Sequence, residues 1–213
     1  MRTEKSWLIE RRIERTSKAL ESNAFRTVYA PTKTQALQEA LRLIPANATV
    51  GVGGSVTIRE IGLIEELERR GNRVLETWRK ITPEEDLAIR KKQLTCDVFV
   101  SSSNAVTEDG KLVNADGTGN RVAAMIFGPP KVVVVAGVNK IVPDVHAGIE
   151  RIRNVAAPMN VRRVGGTTPC VVERCNLEAC TPPSRHCHAI TILEKCPTKT
   201  DTTVILVGEE LGF

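Results

Sequence analysis

The chain has 213 residues, 41% hydrophobic but only 3% aromatic, and 30 Lys and Arg against 25 Asp and Glu give a net charge of +5. That length supports a full hydrophobic core in one domain, and a core so poor in aromatics must rest on Val, Ile, Leu and Ala, as helix-covered parallel sheets do. Basic and acidic residues are interspersed rather than gathered in a tract with aromatics, which argues against a nucleic-acid partner, and no apolar run nears the ~20 residues of a membrane span.

The first residues, MRTEKSWLIERRIERTSKALES, lack the apolar region of a secretory signal, so the expectation is a soluble cytoplasmic protein whose six cysteines do not form a disulfide framework. Residues 4–22 read as an amphipathic helix with Trp7, Leu8, Ile9, Ile13 and Leu20 on one stripe. It either packs on its own domain or forms an arm for a partner subunit, and a homo-oligomer is one form that such a partner could take. Residues 1–24 are therefore read as an N-terminal helix, and residues 25–213 as a single α/β domain with a cysteine-rich loop over 166–197.

Strands and helices then alternate. Phe25 to Tyr29 reads as a strand, Thr34 to Ile44 as a helix stopped by Pro45, and Thr49 to Val52 as a strand running into Gly53-Gly54. Thr57 and Glu60 form a T-x-x-E capping pattern, predicting one helix that ends before Gly71. A strand over Arg73 to Thr77 and a helix capped by Thr82-Pro83-Glu84-Glu85 and running to Leu94 follow. Val98 to Ser101 and Val132 to Ala136 are apolar strand-like runs. Between them, Asp109-Gly110 predicts a two-residue hairpin turn and Asn120 to Phe127 a short helix. A helix from Pro143 to about Ala157, the cysteine loop, and strands over Ala189 to Leu193 and Thr203 to Val207 complete the chain. The pattern predicts an α/β fold with a mostly parallel sheet, helices on both faces and a small β-hairpin.

Two stretches carry candidate chemistry. In TVGVGGSVTIREIG a strand runs through glycines into a hydroxyl-rich helix start, where free amides and the helix dipole favour an anion; Gly53, Gly54, Ser55 and Thr57 are the candidate contacts. The loop has no Gly-Lys-Ser/Thr, and Val56 stands where a dinucleotide fingerprint needs its third glycine. Ser55 and Thr57 could equally do no more than cap their helix. The second stretch gathers Asn104, Asn114, Asp116, Asn120 and Arg121, with Asn139 and Lys140 beyond the next strand. Asn120-Arg121 and Asn139-Lys140 each set an amide beside a cation, which suits a carboxylate or phosphate.

Three ordered blocks, GGSVTIREIG, SSSNAVTEDGKLVNADGTGNRVA and GPPKVVVVAGVNKI, resemble the LUD domain, the family of lactate utilization protein C. The resemblance implies a fold like that of the ribose-phosphate isomerase and CoA-transferase superfamily. It also implies a place in bacterial lactate oxidation beside an iron-sulfur protein partner. A second similarity, of NAVTEDGKLVN to sugar-phosphate isomerases related to a translation initiation factor, places Asn104 where those enzymes carry the Asp proposed as catalytic acid. An amide cannot shuttle a proton as a carboxylate does, which argues against that reaction.

Cys170, Cys175, Cys180 and Cys187 follow C-x4-C-x4-C-x6-C spacing, with Cys196 beyond and His186 and His188 among them. Four thiolates suit zinc or an iron-sulfur cluster; free or redox-active thiols are the alternative. Relatives of the LUD family look similar around Thr168-Pro169-Cys170 and Pro183-Ser184-Arg185-His186-Cys187, with Cys175 and Cys180 matching less well. No flavin or nicotinamide fingerprint is present, so an oxidation would need its electrons taken up elsewhere. The resulting expectation is a component of lactate or 2-hydroxy-acid oxidation that binds a small carboxylate or phosphate. The alternatives are a non-enzymatic ligand-binding or assembly module with a structural metal, and an isomerase-like activity. The sequence leaves open whether the chain is itself a catalyst.

Overall fold

A computed structural model describes residues 3–213. Its main sheet contains β1 (Arg26–Ala30), β2 (Thr49–Val52), β3 (Arg73–Leu75), β4 (Val98–Ser101), β7 (Lys131–Gly137) and β10 (Asp201–Val207), in the order β1-β10-β7-β4-β2-β3 with every pair parallel. Alternation along the central strands explains why both faces are covered. Val98, Val100, Val133, Val135, Ile205 and Val207 enter one apolar cluster, and Phe99, Val132, Val134, Val204 and Leu206 enter the other. On the first face lie α2 (Lys33–Leu43), α3 (Val56–Glu60) and α4 (Leu63–Arg69), which supply Ala36, Ala40, Ile58, Leu63, Ile64 and Leu67. The expected α/β class with helices on both faces is observed.

A second, four-stranded sheet has the order β8-β5-β6-β9, from β5 (Ala105–Thr107), β6 (Leu112–Asp116), β8 (Ile141–Val142) and β9 (Ala189–Leu193). The hairpin β5-β6 pairs antiparallel, β5 with β8 parallel, and β6 with β9 antiparallel. The hairpin loop is three residues, not two. Ala105 faces Val113, Val106 faces Leu112 and Thr107 N donates to the Lys111 carbonyl at 2.9 Å, which leaves Glu108, Asp109 and Gly110 as the turn, with Gly110 at φ +85°.

Helix α1 (Glu4–Ser22) packs on its own chain. Ile13 and Leu20 join the second cluster with Phe25 and Leu112. Arg12 donates to Glu108 Oε1 at 2.7 Å and to the Ile141 carbonyl at 2.8 Å, and Asn23 donates to the carbonyls of Asp109 and Gly110. Trp7 and Leu8, placed on the apolar stripe by spacing alone, are exposed at 56% and 58%, so the buried stripe begins further along.

Two helices differ from expectation for identifiable reasons. The helix after the glycine loop is capped by Ser55, whose Oγ accepts from Ile58 N, and it breaks at Gly62, whose φ of +72° separates α3 from α4. Thr57 is therefore inside the helix and free of capping duty. The helix expected from Pro143 to Ala157 starts after the Asp144 cap as α7 (Val145–Arg151). It widens into a π-helical turn over Ile152–Ala156 and continues as α8 (Ala157–Arg163). Pro158 has no N–H to give to the preceding turn, and the wider turn accommodates that loss without ending the helix. The remaining helices are α5 (Pro83–Gln93), α6 (Asn120–Ile126) and the short α9 (Pro169–Val172). No helix among the described residues is long and apolar enough to cross a membrane.

Candidate functional site

Parallel strands leave their carboxyl ends at one edge of the sheet, where successive loops converge. Here the loops after β2, β4 and β7 meet the outer end of β6 and helix α8 around a cavity of about 390 Å³. The glycine loop supplies Gly54, Ser55 and Thr57; the loop after β4 supplies Ser102, Ser103 and Asn104; the β6 end and α6 supply Asp116, Asn120 and Arg121. Lys140 enters from the 3-10 turn after β7 (Val138–Lys140), and Ile152, Ala156 and Asn160 from the π-turn and α8.

Lys140 is buried, 2% exposed. Its ammonium donates to Thr57 Oγ1 and to Ser102 Oγ, both at 2.8 Å. Burial, then the nearby guanidinium groups of Arg151 and Arg121, push its pKa down to about 7, against a weaker opposing pull from Glu60. The amine thus stands near its titration midpoint at neutral pH. Over it lies the chain segment at Leu211-Gly212. The Asn139 amide donates to the carbonyls of both residues and accepts from Leu211 N, while Glu60 accepts from Gly212 N at 2.6 Å.

Arg121 is committed to the protein. Nη1 donates to Asn114 Oδ1 and the Ser102 carbonyl, Nη2 to the Ala115 carbonyl and Asn104 Oδ1, and Asp116 Oδ2 lies 3.5 Å from Nε. Burial holds its pKa below the ordinary arginine value, with Asp116 opposing. The guanidinium ties the loop after β4 to β6, and its two Nη groups are taken up by four protein oxygen acceptors. Asp116 Oδ1 in turn accepts from the amides of Thr118 and Gly119.

The expected contacts therefore divide. Gly54, Ser55, Thr57, Asn104, Asp116, Asn120, Arg121 and Lys140 line the cavity. Gly53 lies behind it, where a Cβ would stand 2.8 Å from Ser101 Oγ and 2.9 Å from Arg121 Cγ. Asn114 is fully buried beneath Arg121, and Asn139 serves the Leu211-Gly212 segment. Asn120 bridges Arg90 Nη1 and Gln93 Oε1. Asn104, the isomerase-like position, faces the cavity with its Oδ1 fixed as an acceptor from Ala115 N at 2.9 Å.

Sequence reasoning missed Ser102, Trp78 and Arg163. Ser102 belongs to a Ser-Ser-Ser run at a strand end, which was a readable signal. Trp78 is stacked between Arg59 and Arg163, whose guanidinium carbons lie 4.4 and 4.0 Å from its ring centroid. Arg163 comes from a helix that the pattern ended too soon. Burial and the charge of Arg59 both depress its pKa. Among the lining residues Arg90, Arg121, Lys140 and Arg163 are cationic, and Asp116 is the one Asp or Glu.

The cysteine loop forms another wall, through His186 and Cys187. It docks through His188 N on the Asp116 carbonyl and His188 Nδ1 within 3.0 Å of the Gly117 carbonyl. Burial raises the pKa of Cys187, and the charges of Cys170, Cys180 and Cys175 raise it further; Cys175 is raised by burial and then by Cys170. Cys175 and Cys187 therefore lie near enough to the other thiols to feel their charge. Yet among the described residues no three His, Cys, Asp or Glu side chains converge as ligands of a metal ion. The donor chemistry suits a thiophilic metal, but the spacing as it stands does not. Cys96 is separate and buried, its thiol pushed up to about 11 by burial.

The structure is that of an α/β protein with a parallel main sheet and a cation-rich cavity at its strand ends. The LUD domain family model matches residues 13–207, and the chain belongs to that family, which is associated with lactate utilization. Among solved structures, a crystal structure of a DUF162 family protein from Deinococcus radiodurans is similar in fold. It has a TM-score of 0.56 at 12% identity and covers 93% of this chain and 98% of that one. No curated protein matches the chain.

Proposed function

We propose that this LUD protein binds a small carboxylate or phosphate anion in the cavity at the strand ends, as a component of a lactate or related 2-hydroxy-acid utilization system. The observation that carries this reading is Lys140. It is a buried ammonium, one of four cations that line the cavity with one carboxylate, and an anion would offset the burial and, after it, the repulsion from Arg151 and Arg121 that depress its pKa. The amides around Gly54 and Ser55 offer further donors. A 2-hydroxy acid brings the carboxylate that such a site recognises, and its oxidation would require a partner to take up two electrons. An iron-sulfur protein is the partner that the family resemblance favours.

Calorimetric titration with L-lactate, pyruvate and inorganic phosphate tests the reading. Saturable binding of at least one, lost in Lys140→Gln, is the expected result; no binding of any, or equal binding by the variant, would overturn it. Binding without turnover in the isolated chain would favour the ligand-binding or assembly role, whereas dye-coupled lactate oxidation by the chain alone would make it the catalyst.

A further inference from the structure

We propose that Lys140 is a reacting amine that condenses with the carbonyl of a 2-oxo acid to form an imine. This inference rests on the anion-binding reading of the same cavity and names the ligand class: a carboxylate with an adjacent ketone or aldehyde.

The argument starts from position. A lysine that only completes an ion pair meets a carboxylate, but Nζ of Lys140 meets two hydroxyls, Thr57 Oγ1 and Ser102 Oγ. Its charged surroundings are Arg121 on α6, Arg151 on α7 and Glu60 on α3, and across the cavity stand Asp116, Arg90, Arg163 and His186. Arg151 is itself occupied by the carbonyls of Asn139 and Asn104. Surplus positive charge and burial favour the neutral amine, the form that acts as a nucleophile.

The hydroxyls complete the requirement. In the condensation the amine lone pair attacks the carbonyl carbon and the carbonyl π pair moves to oxygen, which takes up a proton. The nitrogen loses a proton and the carbinolamine then expels water to leave C=N. One amine and one carbonyl give one imine and one water, with no change of oxidation state. Two hydroxyls that can each donate and accept stand at the nitrogen, where the proton must leave and return. The carboxylate of the 2-oxo acid would face the cationic lining. The cavity, about 390 Å³, also has room for acids larger than three carbons.

The test is borohydride trapping of the full-length protein with pyruvate or 2-oxoglutarate, read by peptide mass mapping. The expected result is one reduced adduct per chain on Lys140, formed faster as pH rises through about 7 and suppressed by L-lactate, which carries the carboxylate but no carbonyl. Lys140→Arg should form none. Should that variant fail to fold, lactate protection and the location of the adduct in the wild type still decide the matter. Adducts spread over exposed lysines, or indifferent to lactate, would overturn the proposal. Calorimetric binding of the oxo acids without a Lys140 adduct would overturn the imine while leaving the anion site standing; absence of both binding and adduct would remove the two together.

Discussion

Trp78 fills the space that a side chain at residue 54 would need: a Cβ on Gly54 would stand 2.8 Å from the indole Nε1. The neighbouring Gly53 is constrained by different groups, since its Cβ would meet Ser101 Oγ, Arg121 Cγ and Phe99 Cζ at 2.8, 2.9 and 3.0 Å. Gly54→Ala should displace the indole from between Arg59 and Arg163, changing tryptophan fluorescence and ligand affinity with little effect on stability. Gly53→Ala presses on a buried arginine and a buried phenylalanine and should cost about 1–3 kcal/mol in urea unfolding. Equal behaviour of the two variants would contradict this division.

Arg121 supports the loops around it. Arg121→Ala removes the donor shared by Asn104 Oδ1, Asn114 Oδ1 and the carbonyls of Ser102 and Ala115 and leaves Asp116 without its counter-charge, and a loss of about 3–5 kcal/mol is expected. Arg121→Lys cannot reproduce the fork and should recover only part of that loss. Chemical denaturation of the three proteins provides the comparison.

Lys140 makes stability depend on pH with a definite sign. Its folded pKa, about 7, lies below the ordinary lysine value, so the unfolded chain holds more protons through the interval between them. Stability from this group therefore rises with pH across that interval, by up to about 1.4 kcal/mol per pH unit, and is lowest below pH 7. Lys140→Met should flatten this component. An identical pH dependence in both proteins would show that the amine is not perturbed.

Lactate binding should run the other way. The ammonium attracts a carboxylate and the neutral amine does not, so affinity is expected to fall as pH rises through about 7. Calorimetry on either side of that pH is the check, and an affinity flat across it would place the carboxylate elsewhere in the cavity.

For the cysteine loop, zinc or iron in protein purified without oxygen, lost when Cys170 and Cys187 are replaced together, would establish a metal site that the spacing as it stands does not form. The loop would have to draw its thiols closer for this to occur. Metal-free wild-type protein would leave Cys170, Cys175, Cys180 and Cys187 as free thiols.

The strands were legible because Val-rich runs such as Val132 to Ala136 have one structural use, burial on both sides. The glycine loop was legible because strand, glycine and hydroxyl occur in that order. The difference between Asn139 and Lys140 was not. Adjacent residues point apart, one to the Leu211-Gly212 segment and the other to Thr57, which lies 83 positions earlier in the chain. Arg121 carried the same ambiguity, since a cation beside amides reads alike whether the amides accept from it or flank a ligand. The length of the helix through Pro158 was hidden because proline ordinarily marks an end, and with it went Asn160 and Arg163. The partners of β9 were hidden because a short alternating strand does not specify which sheet it joins.

The walls of the cavity belong to two different sheets. Lys140, Thr57 and Ser102 stand off the large sheet, whereas Asp116 ends a strand of the small one and Asn104 leads into its neighbour. A molecule lodged among them would act as a second tie rod, beside Arg121, between two sheets that share no strand pairing. Backbone amides in β5 and at the Leu112 end of β6, away from the cavity wall, would then slow their exchange with solvent together with those of β2 and β4.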